Sequence, residues 1–299
     1  MRVVHRVREL QGLADADRAA GRRIALVPTM GALHAGHLAL VEAARRRAER
    51  VVVSIFVNPT QFGPGEDYAA YPRTFEADAA ACREAGVDVV FAPATEELYP
   101  PGAQTTVEVE RVSSPLCGAT RPGHFRGVTT VVPKLFIAAR PHVAVFGLKD
   151  FQQVAVVRRL VRDLGFDIEI VGVPTVREAD GLALSSRNVF LGAETRAQAL
   201  SLSRALRAAE SAVASGETSA VRLLAGVEAE LAKAPLGRVD YAELRDPDTL
   251  EPAPARLAAP TLLALAVRFF APGAGRPVRL IDNTVLRPDE AETPREGTP

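Results

Sequence analysis

The hydrophobic pattern of the first 175 residues alternates between two kinds of segment. Short apolar runs without polar alternation are typical of strands buried on both faces of a parallel sheet, and apolar residues recur at helical spacing between them. The pattern predicts strands at 24–27, 51–57, 87–91, 143–146 and 167–171, and helices at 38–49, 74–84, 128–139 and 151–164. This alternation predicts an α/β fold built on a doubly wound parallel sheet. We expect Pro28 to end the first strand, because proline cannot donate to a sheet ladder.

The pattern changes after Pro174. A polar loop over 177–188 leads to alanine-rich helices over 194–232 and to strand-like runs at 239–244, 261–270 and 278–282. These segments predict helices packed on a small antiparallel sheet. We therefore expect a large domain over 1–175, a smaller α+β lid domain over 176–287, and a disordered tail over 288–299, where apolar anchors are missing.

Composition limits the class of protein. Of the 299 residues, 47 % are apolar and 24 % are charged, as in ordinary soluble globular proteins. The 36 basic and 36 acidic residues cancel, so no net field favours nucleic acid or a membrane surface, and no apolar segment reaches transmembrane length. The two cysteines, Cys82 and Cys117, lie far apart, and the N-terminus lacks the apolar core of a signal peptide. We expect a cytoplasmic protein in a reducing compartment.

The most informative segment follows the first strand. Residues 28–37 form a turn that contains Gly31 and Gly36 and carries two histidines, His34 and His37, at the start of a helix. Glycines let the backbone approach a ligand closely, and the unpaired N–H groups of a helix N-terminus attract anions. The turn therefore predicts a phosphate-binding site. Both histidines can face the same side, because they are three residues apart.

Two other roles remain open for the histidines. Either can cap the helix, and a His-x-x-His pair can bind a metal, although zinc would need further ligands and no Cys-x-x-Cys pair is present. The sequence has no Gly-x-x-x-x-Gly-Lys-Ser/Thr, no Gly-x-Gly-x-x-Gly after the first strand and no Gly-x-Ser-x-Gly. A P-loop and the usual hydrolase elbow are thereby excluded, and a dinucleotide site has no support.

Six blocks of sequence occur together in a distinctive order. They cover residues 28–37, 56–62, 71–74, 121–128, 146–153 and 182–188. With these blocks the chain resembles the pantothenate synthetase family, the pantoate–β-alanine ligases, which share the His-x-Gly-His motif with other nucleotidyltransferases. The resemblance implies a Rossmann-like nucleotide-binding domain, a homodimer, and a reaction in two steps. Pantoate attacks ATP to give pantoyl adenylate and pyrophosphate, and β-alanine then displaces AMP.

The resemblance also implies roles for residues of this chain. Six residues are expected to stabilise the charge that develops on the phosphates: His34, His37, Lys149, Ser185, Ser186 and Arg187. ATP contacts are expected from these residues and from Met30, Gly147, Asp150 and Leu184. The family commonly has methionine where Leu184 stands, and a swap that conserves volume is tolerated at an apolar position.

The acid substrate is expected to meet amides and an apolar wall. The resemblance implies that Gln61 and Gln153 bind pantoate, and the surrounding substrate contacts are expected from Met30, Phe56, Asn58, Val132 and Arg121. For Arg121, a phosphate contact and a plain salt bridge both remain open. ATP requires Mg²⁺, and Asp78 is the carboxylate that we expect to help hold it.

Two rival functions remain open at this point. One is another nucleotidyltransferase with the His-x-Gly-His motif, making an adenylyl or cytidylyl product. Gln61 and Gln153 disfavour it, because a phosphate acceptor would be met by basic residues. The other is a regulatory protein that binds ATP without turnover, which has no need to keep donors such as Lys149 and Arg187.

Overall fold

The computed structural model describes residues 1–270 and 276–288, so nearly all of the predicted disordered tail lies outside the described residues. The strands are β1 Arg2–Val4, β2 Ile24–Thr29, β3 Arg50–Ile55, β4 Val89–Phe91, β5 Val143–Gly147, β6 Glu169–Val173, β7 Gly237–Arg245, β8 Thr261–Phe269 and β9 Val278–Leu286. The helices are α1 Val7–Ala19, α2 Ala35–Arg45, α3 Phe75–Glu84, α4 Thr95–Leu98, α5 Glu110–Ser113, α6 Cys117–Thr120, α7 His124–Ala139, α8 Phe151–Asp163, α9 Ala193–Ala214 and α10 Ala220–Leu231. Short 3₁₀ helices cover Pro59–Gln61, Leu148–Asp150 and Ser186–Phe190.

The chain forms two compact units. The first contains Met1–Val176 and also the short segment Leu184–Ser186, which follows seven residues of the second unit along the chain. The second contains Arg177–Ala183 and the described residues from Arg187 onward. The predicted boundary at 175 lies one residue from the observed division, but the pattern gave no sign of the return.

The first unit is built on a parallel sheet, which confirms the predicted fold class. Within the described residues it has six strands in the order β1-β4-β3-β2-β5-β6, each paired in parallel with its neighbours. Successive strands are thus added outward from β2 on one side and outward from β5 on the other, so the strand order reverses between these two neighbouring strands. In such sheets the crevice beyond the carboxyl ends of these strands is the usual ligand site.

The start of the sheet was not predicted. Strand β1 has three residues and pairs only with β4, and helix α1 follows it before β2 begins. A strand this short leaves too little pattern to be recognised.

The prediction that Pro28 ends the first strand is wrong. Strand β2 runs to Thr29, and Pro28 is in register with Ser54 of β3. The carbonyl of Thr29 accepts a hydrogen bond from Phe56 N, so the backbone polar groups of Thr29 point toward the β3 side. Those of the preceding Pro28 point toward β5, on the opposite side of β2. On that side the ladder with β5 pairs only Ala25 and Leu26, so no sheet bond is lost at Pro28.

Helix α7 packs unusually closely on the segment that follows β3. A Cβ atom at Gly127 would lie 2.4 Å from the carbonyl oxygen of Thr60 and 2.6 Å from the backbone nitrogen of Gln61. Only glycine allows this approach. The contact fixes the 3₁₀ helix Pro59–Gln61 against the N-terminal half of α7.

The second unit is the predicted smaller α+β domain. Its described residues form an antiparallel sheet in the order β7-β8-β9, and α9 and α10 pack on one face of it. Arg177 donates to both carboxylate oxygens of the buried Asp282, at 2.6 and 2.9 Å, and so ties the beginning of this unit to β9. In the part of the chain that the structure describes, no helix is long and apolar enough to cross a membrane.

The contact at Gly127 gives a stability prediction. Gly127→Ala should lower the free energy of unfolding by about 1–3 kcal/mol, because the added methyl group meets backbone atoms that cannot turn away. The matched control is Gly12→Ala in α1, where a Cβ would meet nothing within 4 Å. That change should raise the free energy of unfolding by about 0.5–1 kcal/mol, since alanine favours a helix interior. Urea denaturation of both variants measures the effect, and an unchanged midpoint for Gly127→Ala would contradict the packing described.

Candidate active site

The turn after β2 has a constrained backbone. Gly31 and Ala32 both have positive φ, 80° and 50°, a region that costs energy for alanine. The hydroxyl of Thr29 donates to the carbonyl of Ser54 at 2.7 Å and accepts from Gly31 N at 3.1 Å. A side chain at Gly31 would lie 2.9 Å from Oδ2 of Asp78, so glycine is required there.

Asp78 of α3 holds this turn in place. Its Oδ2 accepts from Ala32 N at 2.9 Å and from the Thr74 hydroxyl at 3.2 Å, and its Oδ1 accepts from Leu33 N at 2.7 Å. The residue is only 2 % exposed. Hydrogen bonds from backbone N–H groups to a buried carboxylate are strong, and they offset the unfavourable conformation at Ala32.

The magnesium contact expected of Asp78 stays a prediction, and the structure shows a different role for this carboxylate. Both of its oxygens are already used by donors of the turn, and no group of three acidic, histidine or cysteine residues suited to a metal occurs among the described residues. The carboxylate is a structural anchor of the histidine turn.

The two histidines cap α2 and also lie against one another. Nδ1 of His34 accepts from Gly36 N at 3.1 Å, and Nδ1 of His37 accepts from His34 N at 3.3 Å. The ring centroids are 4.1 Å apart. Because each Nδ1 is an acceptor, a neutral ring carries its proton on Nε2, which makes Nε2 a donor. The capping role left open by the sequence is thus realised, and it orients both rings.

Burial keeps His37 neutral. Desolvation, together with the nearby His34 and Lys149, lowers the pKa of His37 to about 3, and the carboxylate of Asp150 opposes the shift only in part. The ring is therefore an uncharged N–H donor near neutral pH.

The end of β5 lies beside this turn. Gly147 ends β5 and lies close to Leu40 of α2, since a Cβ built on it would be 3.9 Å from Cδ2 of that leucine. The 3₁₀ helix that follows carries Lys149 and Asp150, whose charged groups are 3.7 Å apart. A cation and a carboxylate thus stand next to the histidine pair, as the sheet topology predicts.

The segment Leu184–Ser186 also reaches the turn. A Cβ at Gly36 would lie 3.8 Å from Cβ of Leu184, and the hydroxyl of Ser186 is 3.2 Å from that of Tyr71, a buried residue. Arg187 begins the second stretch of the second unit.

A cluster of amides and apolar side chains follows β3. Asn58 and Gln61 are buried, and Nδ2 of Asn58 donates to Oε1 of Gln61 at 3.1 Å. Nε2 of Gln61 lies 3.2 Å from the sulfur of Met30. The apolar residues predicted for the pocket wall, Phe56 and Val132, are buried as well.

The second predicted amide has an unpredicted neighbour. Gln153 lies partly buried in the first turn of α8, and Gln152 beside it is 6 % exposed. Oε1 of Gln152 accepts from Cys117 N at 3.0 Å, and its Nε2 donates to the carbonyls of Val112 and Pro115 at 3.1 and 2.7 Å. Gln152 thereby fixes the loop between α5 and α6 onto α8. The pair Gln152-Gln153 in the sequence does not indicate which of the two side chains is buried.

Arg121 forms the salt bridge that was its alternative role. Its Nε and Nη2 donate to the two carboxylate oxygens of Glu66 at 2.7 and 2.6 Å. Burial alone would raise the pKa of Glu66, but the hydrogen bonds and charge of Arg121 outweigh it and hold that pKa at about 2. The expected substrate contact at Arg121 stays a prediction, and the structure shows its guanidinium in a two-point pair.

Comparison with known proteins identifies the family. The sequence model of the family described as pantoate-beta-alanine ligase matches residues 2–285. The chain belongs to the pantoate–β-alanine ligase family. A pantothenate synthetase from Geobacter sulfurreducens is 53 % identical over 286 residues, which cover 96 % of this chain and 99 % of the relative.

Two solved structures of this family are similar to the chain. The crystal structure of pantothenate synthetase from Thermus thermophilus has 52 % identity and a TM-score of 0.87, covering 95 % of this chain and 99 % of that one. The pantoate–β-alanine ligase from Francisella tularensis, crystallised with beta-gamma ATP and beta-alanine, has 31 % identity and a TM-score of 0.76 over 95 % and 97 %. Membership confirms the resemblance inferred from the six blocks, and it supports an ATP-dependent pantoate–β-alanine ligase over both rival functions.

The anchoring role of Asp78 can be separated from a metal role. Asp78→Asn puts an N–H₂ donor against a backbone N–H, so the free energy of unfolding should fall by about 1–3 kcal/mol. The KM for ATP should rise as the histidine turn relaxes, while the Mg²⁺ concentration that gives half-maximal rate should not change.

The matched control is Glu76→Gln, which removes an exposed carboxylate from the same helix. It should alter neither stability nor the KM for ATP. If Asp78→Asn were as stable as the parent chain but needed more Mg²⁺, the carboxylate would be a metal ligand after all.

Proposed function

We propose that this member of the family condenses pantoate with β-alanine through a pantoyl adenylate. ATP-dependent condensation is the activity of the family to which the chain belongs. The observation that supports the adenylate route is the meeting of two kinds of site at the carboxyl ends of β2 and β5. A turn with two histidine N–H donors and Lys149 suits phosphates, and the buried amide of Gln61 beside Met30 suits a small polar acid.

The first step needs stabilisation of negative charge. An oxygen of the pantoate carboxylate attacks the α-phosphorus, the bond to the β,γ-phosphates breaks, and pyrophosphate leaves with its electron pair. Nε2–H of His34 and of His37 would donate to phosphate oxygens, and the ammonium group of Lys149 would add a positive charge. Ser185, Ser186 and Arg187 complete the proposed set of phosphate contacts. Gly147 and Asp150 would contact the nucleotide, with Asp150 at a ribose hydroxyl, and Leu184 would face the adenine.

The second step joins the two substrates. The amine of β-alanine attacks the acyl carbon of the adenylate, the bond from that carbon to the phosphate oxygen breaks, and AMP leaves with this oxygen. The attacking amine loses a proton as the amide forms. Gln61 and Gln153 would hold the pantoyl group throughout, while Phe56 and Val132 pack against its methyl groups.

Magnesium would arrive with the nucleotide. The described residues offer no cluster of three or more acidic, histidine or cysteine residues for a resident ion. Both carboxylate oxygens of Asp78 already accept hydrogen bonds from the backbone of the histidine turn. We therefore propose Mg²⁺·ATP as the substrate form, with the metal held chiefly by phosphate oxygens and water. A homodimer and a cytoplasmic location complete the proposal.

The proposed chemistry is tested with ATP, Mg²⁺, pantoate and β-alanine. Steady release of AMP should need both organic substrates, whereas one turnover of pyrophosphate should need only pantoate. Lys149→Ala should slow that single turnover by about 10²–10³-fold at unchanged melting temperature. Lys233→Ala, at an exposed lysine of the second unit, is the matched control and should behave like the parent chain. AMP release that is independent of pantoate would refute the proposal.

A further inference from the structure

The side-chain amide of Asn58 can point in only one direction. The backbone N–H of Thr60, which can only donate, lies 3.4 Å from Oδ1, and the carbonyl of Gly127, which can only accept, lies 3.2 Å from Nδ2. These two partners fix which end of the amide is oxygen and which is nitrogen.

Asn58 in turn fixes the amide of Gln61. Because Nδ2 of Asn58 can only donate, the atom of Gln61 that it contacts at 3.1 Å must be the oxygen. The nitrogen of Gln61 is then the end that lies 3.2 Å from the sulfur of Met30. An N–H donor, and not a carbonyl, therefore faces the proposed acid pocket.

The hydroxyl of Tyr99 stands at the head of this chain of hydrogen bonds. It donates to Oδ1 of Asn58 at 2.8 Å. The hydroxyl of Thr60 donates to the same oxygen at 2.9 Å and lies 3.1 Å from the Tyr99 hydroxyl. Burial raises the pKa of Tyr99, so the hydroxyl keeps its proton. The ring also packs near Phe56, with centroids 6.3 Å apart, and Nζ of Lys134 lies 5.3 Å from its centre.

The backbone of Gln61 is held separately. Its carbonyl accepts from Nδ1 of His124 at 2.8 Å and from Nη2 of Arg121 at 3.3 Å. Loss of the Tyr99 hydroxyl therefore leaves the backbone of Gln61 in place and removes one of the hydrogen bonds that hold the Asn58 amide.

We infer that Tyr99 is a positioning residue for the acid substrate. Through Asn58 it keeps the N–H₂ end of Gln61 turned toward the pocket, where it can donate to an oxygen of pantoate. If the Asn58 amide were less firmly held, the Gln61 amide could turn and present its carbonyl oxygen to the carboxylate of pantoate. The two oxygens would then repel each other. The inference rests on the proposed function, because it takes pantoate as the occupant of the pocket beside Met30.

Tyr99→Phe tests the role, because it keeps the ring and removes only the hydroxyl. The KM for pantoate should rise about fivefold to tenfold, the size expected for one lost neutral hydrogen bond. The KM for ATP, kcat and the melting temperature should stay within about twofold or a few degrees of the parent chain. Tyr241→Phe, the same loss of a hydroxyl from a buried tyrosine of the second unit, is the control and should leave every KM unchanged.

A double variant shows whether Tyr99 acts through Gln61. In a Gln61→Leu background, Tyr99→Phe should change the KM for pantoate by less than about twofold, since there is no amide left to direct. Asn58→Asp gives a second check that leaves Tyr99 intact. Its carboxylate must draw the N–H₂ of Gln61 toward itself, so the KM for pantoate should rise more than in Tyr99→Phe.

Three outcomes would overturn the inference. They are an unchanged KM for pantoate in Tyr99→Phe, an equal rise in the KM values for pantoate and ATP, and a full effect of Tyr99→Phe that persists in Gln61→Leu. Failure of the proposed function itself is distinct, because then the parent chain would form no product from pantoate.

Discussion

The site depends on one constraint, the left-handed backbone at Gly31 and Ala32 directly after β2. A free chain would leave this conformation, since for alanine it costs roughly 1–2 kcal/mol. Asp78 holds it with hydrogen bonds of 2.9 and 2.7 Å to the backbone nitrogens of Ala32 and Leu33. The chain then enters α2 with His34 as its cap, and the hydrogen bonds within the cap turn both imidazoles so that Nε2 is the donor. The chemistry of the turn is thus set by a carboxylate that need not touch a ligand.

The amide side of the site follows the same principle. The close approach of α7 at Gly127 fixes the 3₁₀ helix that carries Gln61, and His124 with Arg121 holds its backbone carbonyl. Asn58, held by Gly127, Thr60 and Tyr99, then sets the direction of the side chain. In both halves of the site, residues behind the proposed contact surface decide which atoms are presented to substrate. Such support reduces the reorganisation needed when charge develops in a transition state.

Patterns within short stretches of sequence predicted most of the strands and helices that carry the site. The apolar run before Pro28 gave β2, and the recurrence of polar motifs after strands gave the edge of the sheet where Lys149 lies. Pairings between distant residues could not be read in this way. Asp78 is 46 residues from Ala32, Glu66 is 55 from Arg121, and Tyr99 is 41 from Asn58. A carboxylate looks the same in sequence whether it will meet a metal, an arginine or a backbone amide, so sequence alone does not reveal the partners of Asp78 and Arg121.

The central claim is that the carboxylate of pantoate attacks the α-phosphorus of ATP at this edge of the sheet. The most direct measurement uses pantoate labelled with ¹⁸O in both carboxylate oxygens, with mass analysis of AMP and of pantothenate after turnover. The account predicts one labelled oxygen in AMP and the other in the new amide, because the acyl carbon–oxygen bond breaks when β-alanine attacks. Unlabelled AMP, formed together with pantothenate, would contradict it.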